Sequence, residues 1–399
     1  MKVDTSTPVL LIGGQENALA VARNLGRRGI SVRVSGGPAC WGMRSRYCCQ
    51  SFPIPDGQDP GGFWQRLLLS TQRRDLDGHI LFALSDDAIE FLVDHHPKLQ
   101  ERYILDDSVP DLQHAMLDKK RTLELARSVG VPTPRFWPID KAEDVEKIRD
   151  NVMFPVMVKP IHSFRFAAVF EKKLFIIESS FAEVVEKVHL ARQHGLDVMV
   201  VEMIPGADDL LNSYYTYIDS SGRHLFHYTK RILRRYPVNR GGACYHITEW
   251  LPETVELGRR FFDAIGWRGM ANIEFKRDLR DGKLKVIEVN PRFTAAHRLI
   301  VQSGAPIDLM IYCALTGQDG PHFDTYKQHL RFWYPMRDFL TFCELNKSGK
   351  LTFIDWVRSV LCHRQVLPLF SVWDPMPSLT AAVWYARAVL RRLGQMTRR

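Results

Sequence analysis

The sequence predicts a mixed architecture in several domains, α/β at its N-terminal end and α+β beyond it, and three observations carry that reading. First, the apolar strand Val9-Leu10-Leu11-Ile12 runs into Gly13-Gly14 and then into helical spacing over 17–28, with Leu19, Ala22 and Leu25 on one face. Gly29 stops that helix and Ser31-Val32-Arg33-Val34 follows as a second strand, a β-α-β start. Second, the middle of the chain reads as hairpins, 214–218 with 224–229 and 271–277 with 284–290. Third, from Pro321 onward the pattern changes to Trp-, Pro- and Arg-rich helical pieces. At 399 residues the chain exceeds what one small core organises.

The first layer is Rossmann-like, but Gly13-Gly14 lacks the G-x-G-x-x-G spacing of a dinucleotide site. Ile80-Leu81-Phe82-Ala83-Leu84 is another buried strand, and Ser85-Asp86-Asp87 caps a helix over 88–93. A parallel sheet places such a loop at its carboxyl edge, where ligands bind. From Leu117, Asp118-Lys119-Lys120 leads an amphipathic helix through Leu123, Ala126 and Val129. Gly130 ends it, and Val131-Pro132-Thr133-Pro134 is a rigid extended exit. A strand over 154–159 stops at Pro160. The segments 167–170 and 174–177 read as two arms of a hairpin around Glu171-Lys172-Lys173. A helix over 181–194 turns Val184, Val185 and Val188 inward, and a strand over 197–204 closes at Pro205-Gly206. An amphipathic helix over 255–265 separates the two later hairpins. No internal repeat or low-complexity tract is present.

Composition narrows the function classes. Hydrophobic residues at 45% and charged residues at 25% are ordinary for a soluble domain, and no apolar run has bilayer length. The polar start with Asp4 does not read as a signal peptide, which implies a cytoplasmic location and reduced thiols for the seven cysteines; their spacing fits no zinc site. The net charge of +9 points to an anionic partner, but the dispersed basic residues and the absence of finger or RNP patterns exclude nucleic acid. The C-terminal stretch 379–393 places Trp384, Tyr385, Ala388, Val389 and Leu393 on one surface. Arg387, Arg391, Arg392, Arg398 and Arg399 follow with no acid after Asp374. Such a helix either docks on the body or lies on an anionic membrane as a peripheral contact.

The strongest chemical signal is Val286-Ile287-Glu288-Val289-Asn290-Pro291-Arg292. Alternation on a strand puts Glu288 and Asn290 on one face, a carboxylate and an amide oxygen suited to a hard cation. Asn272, Glu274 and Lys276 share a face on the preceding strand. A three-residue loop with Gly282 left-handed would set Glu274 opposite Glu288 and make a metal site of Glu274, Glu288 and Asn290. A two-residue Asp281-Gly282 turn would set them on opposite faces. Arg292 stands ready to clamp phosphate. Lys159 is held at a fixed exit between an apolar strand and Pro160, and Lys119 stands beside Lys120, either of which could be a contact; a lone lysine is ordinarily solvated. In the basic stretch 229–237, alternation puts Lys230, Ile232 and Arg234 on one side and Arg231, Leu233 and Arg235 on the other, so one basic row must face something, either an anion in a cleft or solvent along a strand edge.

Glu288-Val289-Asn290-Pro291-Arg292 after an apolar strand resembles the metal-binding signature of the ATP-grasp superfamily. Four further segments follow that superfamily's order. Asp118-Lys119 with Gly130-Val131-Pro132-Thr133-Pro134 resembles its entry, and Phe154-Pro155-Val156-Met157-Val158-Lys159-Pro160 its lid strand. Val200-Val201-Glu202-Met203-Ile204-Pro205-Gly206 resembles its adenine-reading hinge, followed by Asp208-Asp209 where a ribose carboxylate is kept, and Asn272-Ile273-Glu274-Phe275 resembles its first metal strand. The basic stretch ending Tyr236-Pro237 before Gly241-Gly242, with the Trp373-Asp374-Pro375-Met376-Pro377 ending, is similar to the carboxylate–amine ligase branch that includes D-aspartate ligases.

The resemblance implies a Rossmann-like pre-ATP-grasp domain over 1–115, an ATP-grasp domain over 116–318 with its lid near 155–200, and a helical extension over 319–399. It implies ATP with Mg²⁺ or Mn²⁺ as cofactors, small-molecule carboxylate and amine substrates, nucleotide contacts from Lys119, Lys159, Glu202, Met203, Ile204, Asp208 and Asp209, and catalytic roles for Arg292, Lys230 and Arg231. One departure stands out: Ile161-His162-Ser163-Phe164-Arg165-Phe166 has no glycine where relatives keep a phosphate loop. A biotin carboxylase-like reading shares the ATP site, although the chain has no Met-Lys-Met carrier motif. A nucleotide sensor without turnover is the third reading.

Overall fold

A computed structural model describes residues 3–71, 74–161, 166, 169–170, 172, 174–361 and 364–396, with side chains described through 387. The N-terminal layer is a four-stranded parallel sheet in the order β3-β2-β1-β4, formed by β1 (Val9–Ile12), β2 (Val32–Gly36), β3 (Cys48–Pro53) and β4 (Ile80–Ala83). Both faces are covered, as a parallel sheet requires. Val9 and Leu11 pack with the helix Glu16–Gly26, while Leu10 and Ile12 pack with Trp64, Leu68 and Phe91 on the other side. Gly13 and Gly14 have φ of +73° and +81°, and a Cβ on either would strike Ser85 or Leu84. These two glycines serve a crowded turn.

The second sheet is antiparallel, in the order β5-β8-β6-β7: β5 (Phe136–Ile139), β6 (Val156–Pro160), β7 (Phe175–Ile177) and β8 (Val198–Glu202). The helix Phe181–Gln193 covers it through Val184, Val188 and Ala191. β5 was not expected from sequence because Pro138 interrupts it; as an edge strand it tolerates the missing N–H. The hairpin expected at 167–177 is corrected: its second arm forms β7, but Val169 and Phe170 are helical. Phe170 packs on Phe166 and Phe175 at ring separations of 4.7 and 5.1 Å, which favours a turn of helix over a strand. Glu171, Lys173 and the glycine-free segment 162–165 lie outside the described residues.

The third sheet has seven strands in the order β13-β12-β9-β10-β11-β14-β15. They are β9 (Leu211–Ile218), β10 (Tyr228–Tyr236), β11 (Gly242–Thr248), β12 (Gly269–Arg277), β13 (Leu284–Asn290), β14 (Arg331–Trp333) and β15 (Gln365–Val366). The helix Pro252–Ala264 packs under it through Phe261 and Phe262. Tyr215, Tyr217 and Tyr228 instead share a core with Val9, Leu11 and the helix Ile307–Leu315, so the first layer and this sheet are continuous in packing. The segment 319–399, expected as a helical extension, holds the helices Pro335–Lys347, Phe353–Leu361 and Met376–Met396 and also adds β14 and β15, whose Phe332 and Val366 bury against Cys244 and Leu330. A two- or three-residue strand buried at a sheet edge has too few positions to display alternation.

The last segment is pinned to the first layer by Asp374, which is 1% exposed and accepts from Arg23 Nε at 2.8 Å, Ser45 Oγ at 2.7 Å and the Arg46 amide at 2.9 Å. The helix Met376–Met396 docks through Ala381 beside Leu19 and Trp41, with Trp384 and Tyr385 at 6.0 and 6.3 Å from Trp41. Among the described residues no helix is long and apolar enough to cross a membrane.

Candidate active site

The second and third sheets face each other across a cavity of about 320 Å³. Lys159 and Met203 line it from the upper sheet, Lys119 from a helix start, and Lys230, Glu274, Glu288, Asn290 and Arg292 from below. Lys119 opens the helix Lys119–Ser128, whose N-cap Asp118 accepts from the amides of Lys120 and Arg121 at 2.8 and 3.0 Å. That cap turns Lys119 into the cavity, while Lys120 pairs with Asp140 at 3.6 Å on the outside. The extended exit after Gly130 is fixed to the floor by the Val286 amide donating to the Pro132 carbonyl at 2.9 Å.

Glu274 stands opposite Glu288, and Asn272 opposite Asn290. The expected facing is present, but the turn does not produce it. Arg277 pairs with Leu284 and Phe275 with Val286, a register that would have set Glu274 against Ile287. A β-bulge between Glu274 and Phe275 shifts the pairing by one residue and brings the carboxylates together. Gly282 is left-handed as expected, with φ of +71°, in a loop longer than three residues. Burial and the neighbouring Glu288 raise the Glu274 carboxyl above its ordinary value. Asn290 Nδ2 donates to Asn272 Oδ1 at 3.3 Å and Glu288 Oε1 at 3.5 Å, leaving its amide oxygen as the acceptor. Two facing carboxylates and an amide oxygen form a hard donor set that fits Mg²⁺ or Mn²⁺, ions that complete their shell with phosphate and water. Among the described residues no group of three His, Cys, Asp or Glu side chains could hold a metal on its own.

Several cationic side chains line the same cavity. Lys159, 9% exposed, donates to the Ile287 carbonyl at 3.4 Å and so ties the upper sheet to β13. Burial, reinforced by Lys119, lowers its ammonium pKa to about 8. Lys230, 1% exposed, donates to Ser213 Oγ at 3.1 Å, and burial lowers its pKa against the pull of Glu274. Lys276 donates to the carbonyls of Ile204 and Gly206, both at 2.9 Å, and so fixes the hinge. Arg292 sits where the cavity meets a second, larger one, its Nε donating to Asp86 Oδ1 at 2.7 Å.

The hinge is equally constrained. The Met203 amide donates to the Pro155 carbonyl at 3.0 Å. Glu202, 4% exposed, accepts from the Arg135 amide at 3.2 Å and from Arg280 at 2.8 Å, so its carboxylate braces the hinge strand.

Three expected residues stand elsewhere. Arg231 faces away from the cavity and pairs with Glu249 at 2.7 Å. Register irregularities between Ile232 and Arg235 break the alternation of β10, so Lys230, Ile232 and Arg235 line the cavity and Arg234 pairs with buried Asp338 at 2.6 Å. Asp208 is taken by Arg235 at 2.8 Å, and Asp209 lines a groove on the opposite side together with Arg231. The residues that sequence reasoning missed are Arg235, Lys276 and His246. His246 is 5% exposed and kept neutral by burial beside Lys230. Lys276 shared a strand face with Glu274 and was legible; His246 lies on β11, whose Gly242 start hid the strand. Arg231→Ala is expected to leave ATP turnover within about twofold of wild type. Its half-exposed ion pair contributes at most about 1 kcal/mol, and steady-state assay with thermal melting checks both.

No protein-family model matches the chain. Over 229 residues it is 24% identical to D-aspartate ligase of Enterococcus faecium (strain Aus0004), covering 54% of this chain and 53% of the relative. It is 27% identical over 223 residues to the vancomycin/teicoplanin A-type resistance protein VanA of Enterococcus faecium, covering 50% and 62%. The chain thus spans between about half and three-fifths of the length of these two relatives. Among solved structures, N5-carboxyaminoimidazole synthetase from Staphylococcus aureus superposes with a TM-score of 0.59 at 13% identity, covering 82% of this chain and 81% of that one. Biotin carboxylase from Campylobacter jejuni gives 0.63 at 16% (82% and 74%), and L-amino acid ligase from Bacillus licheniformis 0.56 at 16% (80% and 76%). With an antiparallel sheet and a sheet antiparallel except for β14–β15 closing on a carboxylate pair beneath a lysine, and a parallel layer in front, the chain has the ATP-grasp fold.

Proposed function

We propose that this chain is an ATP-dependent carboxylate–amine ligase that forms an amide-type bond through an acyl phosphate, releasing ADP and phosphate. The observation that carries the proposal is the facing of Glu274 and Glu288 in one cavity with Lys159 and Arg292. Adenine lies against the Met203–Ile204 backbone, and Lys119 and Lys159 neutralise non-bridging phosphate oxygens. Glu274, Glu288 and Asn290 would hold Mg²⁺, which when bound draws charge from the β- and γ-phosphates. A carboxylate oxygen of the acid attacks the γ-phosphorus and ADP leaves. The amine then attacks the acyl carbon, phosphate leaves, and Arg292 stabilises the transferring phosphoryl group and the tetrahedral adduct. Lys230, held by Ser213, offsets the charge of Glu274 from below. The acyl phosphate hydrolyses in water, so the upper sheet closes before transfer.

The test is ADP release from MgATP over a matrix of acids and amines. Release that needs both an acid and an amine supports the ligase. Release with bicarbonate alone favours a carboxylase, and ATP binding with no ADP under any pairing favours a sensor.

We also propose a cytoplasmic enzyme in peripheral contact with anionic membrane. Val372, Trp373, Met376, Leu379 and Val383 are 69%, 70%, 54%, 58% and 52% exposed, and the sequence carries five arginines from Arg387 on. Flotation with phosphatidylglycerol vesicles is expected to recover the intact chain, and recovery is expected to fall at least about fivefold without 379–399. Equal recovery of both would remove the membrane contact.

A further inference from the structure

We infer that the amine co-substrate is an alkyl di- or polyamine, held in the cavity at the carboxyl edge of the first parallel sheet; this rests on the ligase reading above. That cavity measures about 1230 Å³ and joins the nucleotide cavity at Arg292. Seven carboxylates line it against one arginine, in a chain whose overall charge is +9. Some have structural work. Asp59 caps the helix Pro60–Leu68 through the Gly62 amide at 2.6 Å, and Asp86 holds Arg292.

Asp87 lies in the first turn of the helix Asp86–Asp94, where the helix dipole favours an acid; the others are not explained by the fold. Asp87, Glu90 and Asp94 follow helical spacing along Asp86–Asp94, and all three line the cavity. Like charges at such spacing destabilise a helix. Glu16 is 6% exposed and lines the cavity, with no hydrogen bond or ion pair among the described residues. Most of the Glu16 side chain is covered by protein while its carboxylate is left to the cavity without a cationic partner, and this marks a place where a cation is to arrive. Ile54, Trp64 and Phe91 provide apolar wall between the acidic groups, which suits methylene spacers. A carboxylate substrate would be repelled here. The acid therefore approaches on the nucleotide side of Arg292, and the amine enters from the acidic side with one nitrogen reaching the acyl carbon and another left on the carboxylates. The reacting nitrogen enters as a neutral amine, forms the C–N bond as phosphate leaves, and loses its proton to solvent.

Calorimetry on the full chain with MgADP, using spermidine and putrescine against propylamine and glycine, tests this. Spermidine is expected to bind at least about tenfold more tightly than propylamine, with no heat from glycine. Glu16→Gln is expected to weaken spermidine at least about tenfold at unchanged MgADP affinity, and Glu90→Gln, on a half-buried helix position, to weaken it several-fold should Glu16→Gln fold poorly. Spermidine binding that these variants abolish, without ADP release for any acid, would leave the polyamine site standing and remove the ligase reading. ADP release with glycine or propylamine, and no spermidine binding or competition, would overturn the polyamine inference and leave the ligase standing.

Discussion

Glu288→Gln is expected to lower ADP release by about 10²–10³-fold while leaving the metal-free fold intact. The amide has the shape of the carboxylate, so the bulged pairing of Glu288 with Glu274 survives. What is lost is the charge. Glu274 alone, its carboxyl already raised by burial, is a poor ligand for a divalent ion. The diagnostic is a melting curve with and without MgATP. Wild-type protein gains melting temperature with nucleotide, since a ligand that binds only the folded state stabilises it. The variant should melt within about 2 °C of wild type without ligand and gain nothing from Mg²⁺. Unchanged turnover in the variant would remove the metal assignment.

Arg292→Lys is expected to lower kcat by about 10²-fold with little change in the KM for ATP. Charge is kept, so uniform attraction for triphosphate persists. Geometry is not. Arg292 spends Nε on Asp86 at 2.7 Å, which leaves its terminal nitrogens to face the cavity junction. A lysine has one nitrogen, which must choose between Asp86 and the transferring group. Steady-state kinetics separate the outcomes: a raised KM at constant kcat would place Arg292 in ground-state binding instead of the transition state.

The parts of this site that sequence made legible are those set by strand alternation over short distances. Glu288, Asn290 and Arg292 follow one another in a single apolar context, and Lys159 is framed by Val158 and Pro160. Lys119 was separable from Lys120 only through the Asp118 cap, which fixes the phase of the helix. Bulges defeated the rest. The facing of Glu274 and Glu288 depends on one irregularity in β12–β13, and the exchange of Arg234 for Arg235 at the cavity depends on others in β10. An extra residue in one strand reverses which face each later side chain takes, so strict alternation assigns those residues to the wrong side. Asp208 and Asp209 were assigned by position after the hinge, but their surroundings come from distant residues: Arg235 captures one, and the other faces a separate groove. The parallel layer was read correctly from β-α-β spacing, whereas β14 and β15, at three and two residues, carry no period to read.

Crystals soaked with MnADP, with the anomalous signal of manganese mapped, test the central proposal most directly. A peak is expected between Glu274, Glu288 and the Asn290 amide oxygen at about 2.1–2.3 Å from each, with the β-phosphate beside Lys159. Manganese bound elsewhere, or nucleotide bound while the two carboxylates stay free of metal, would contradict it.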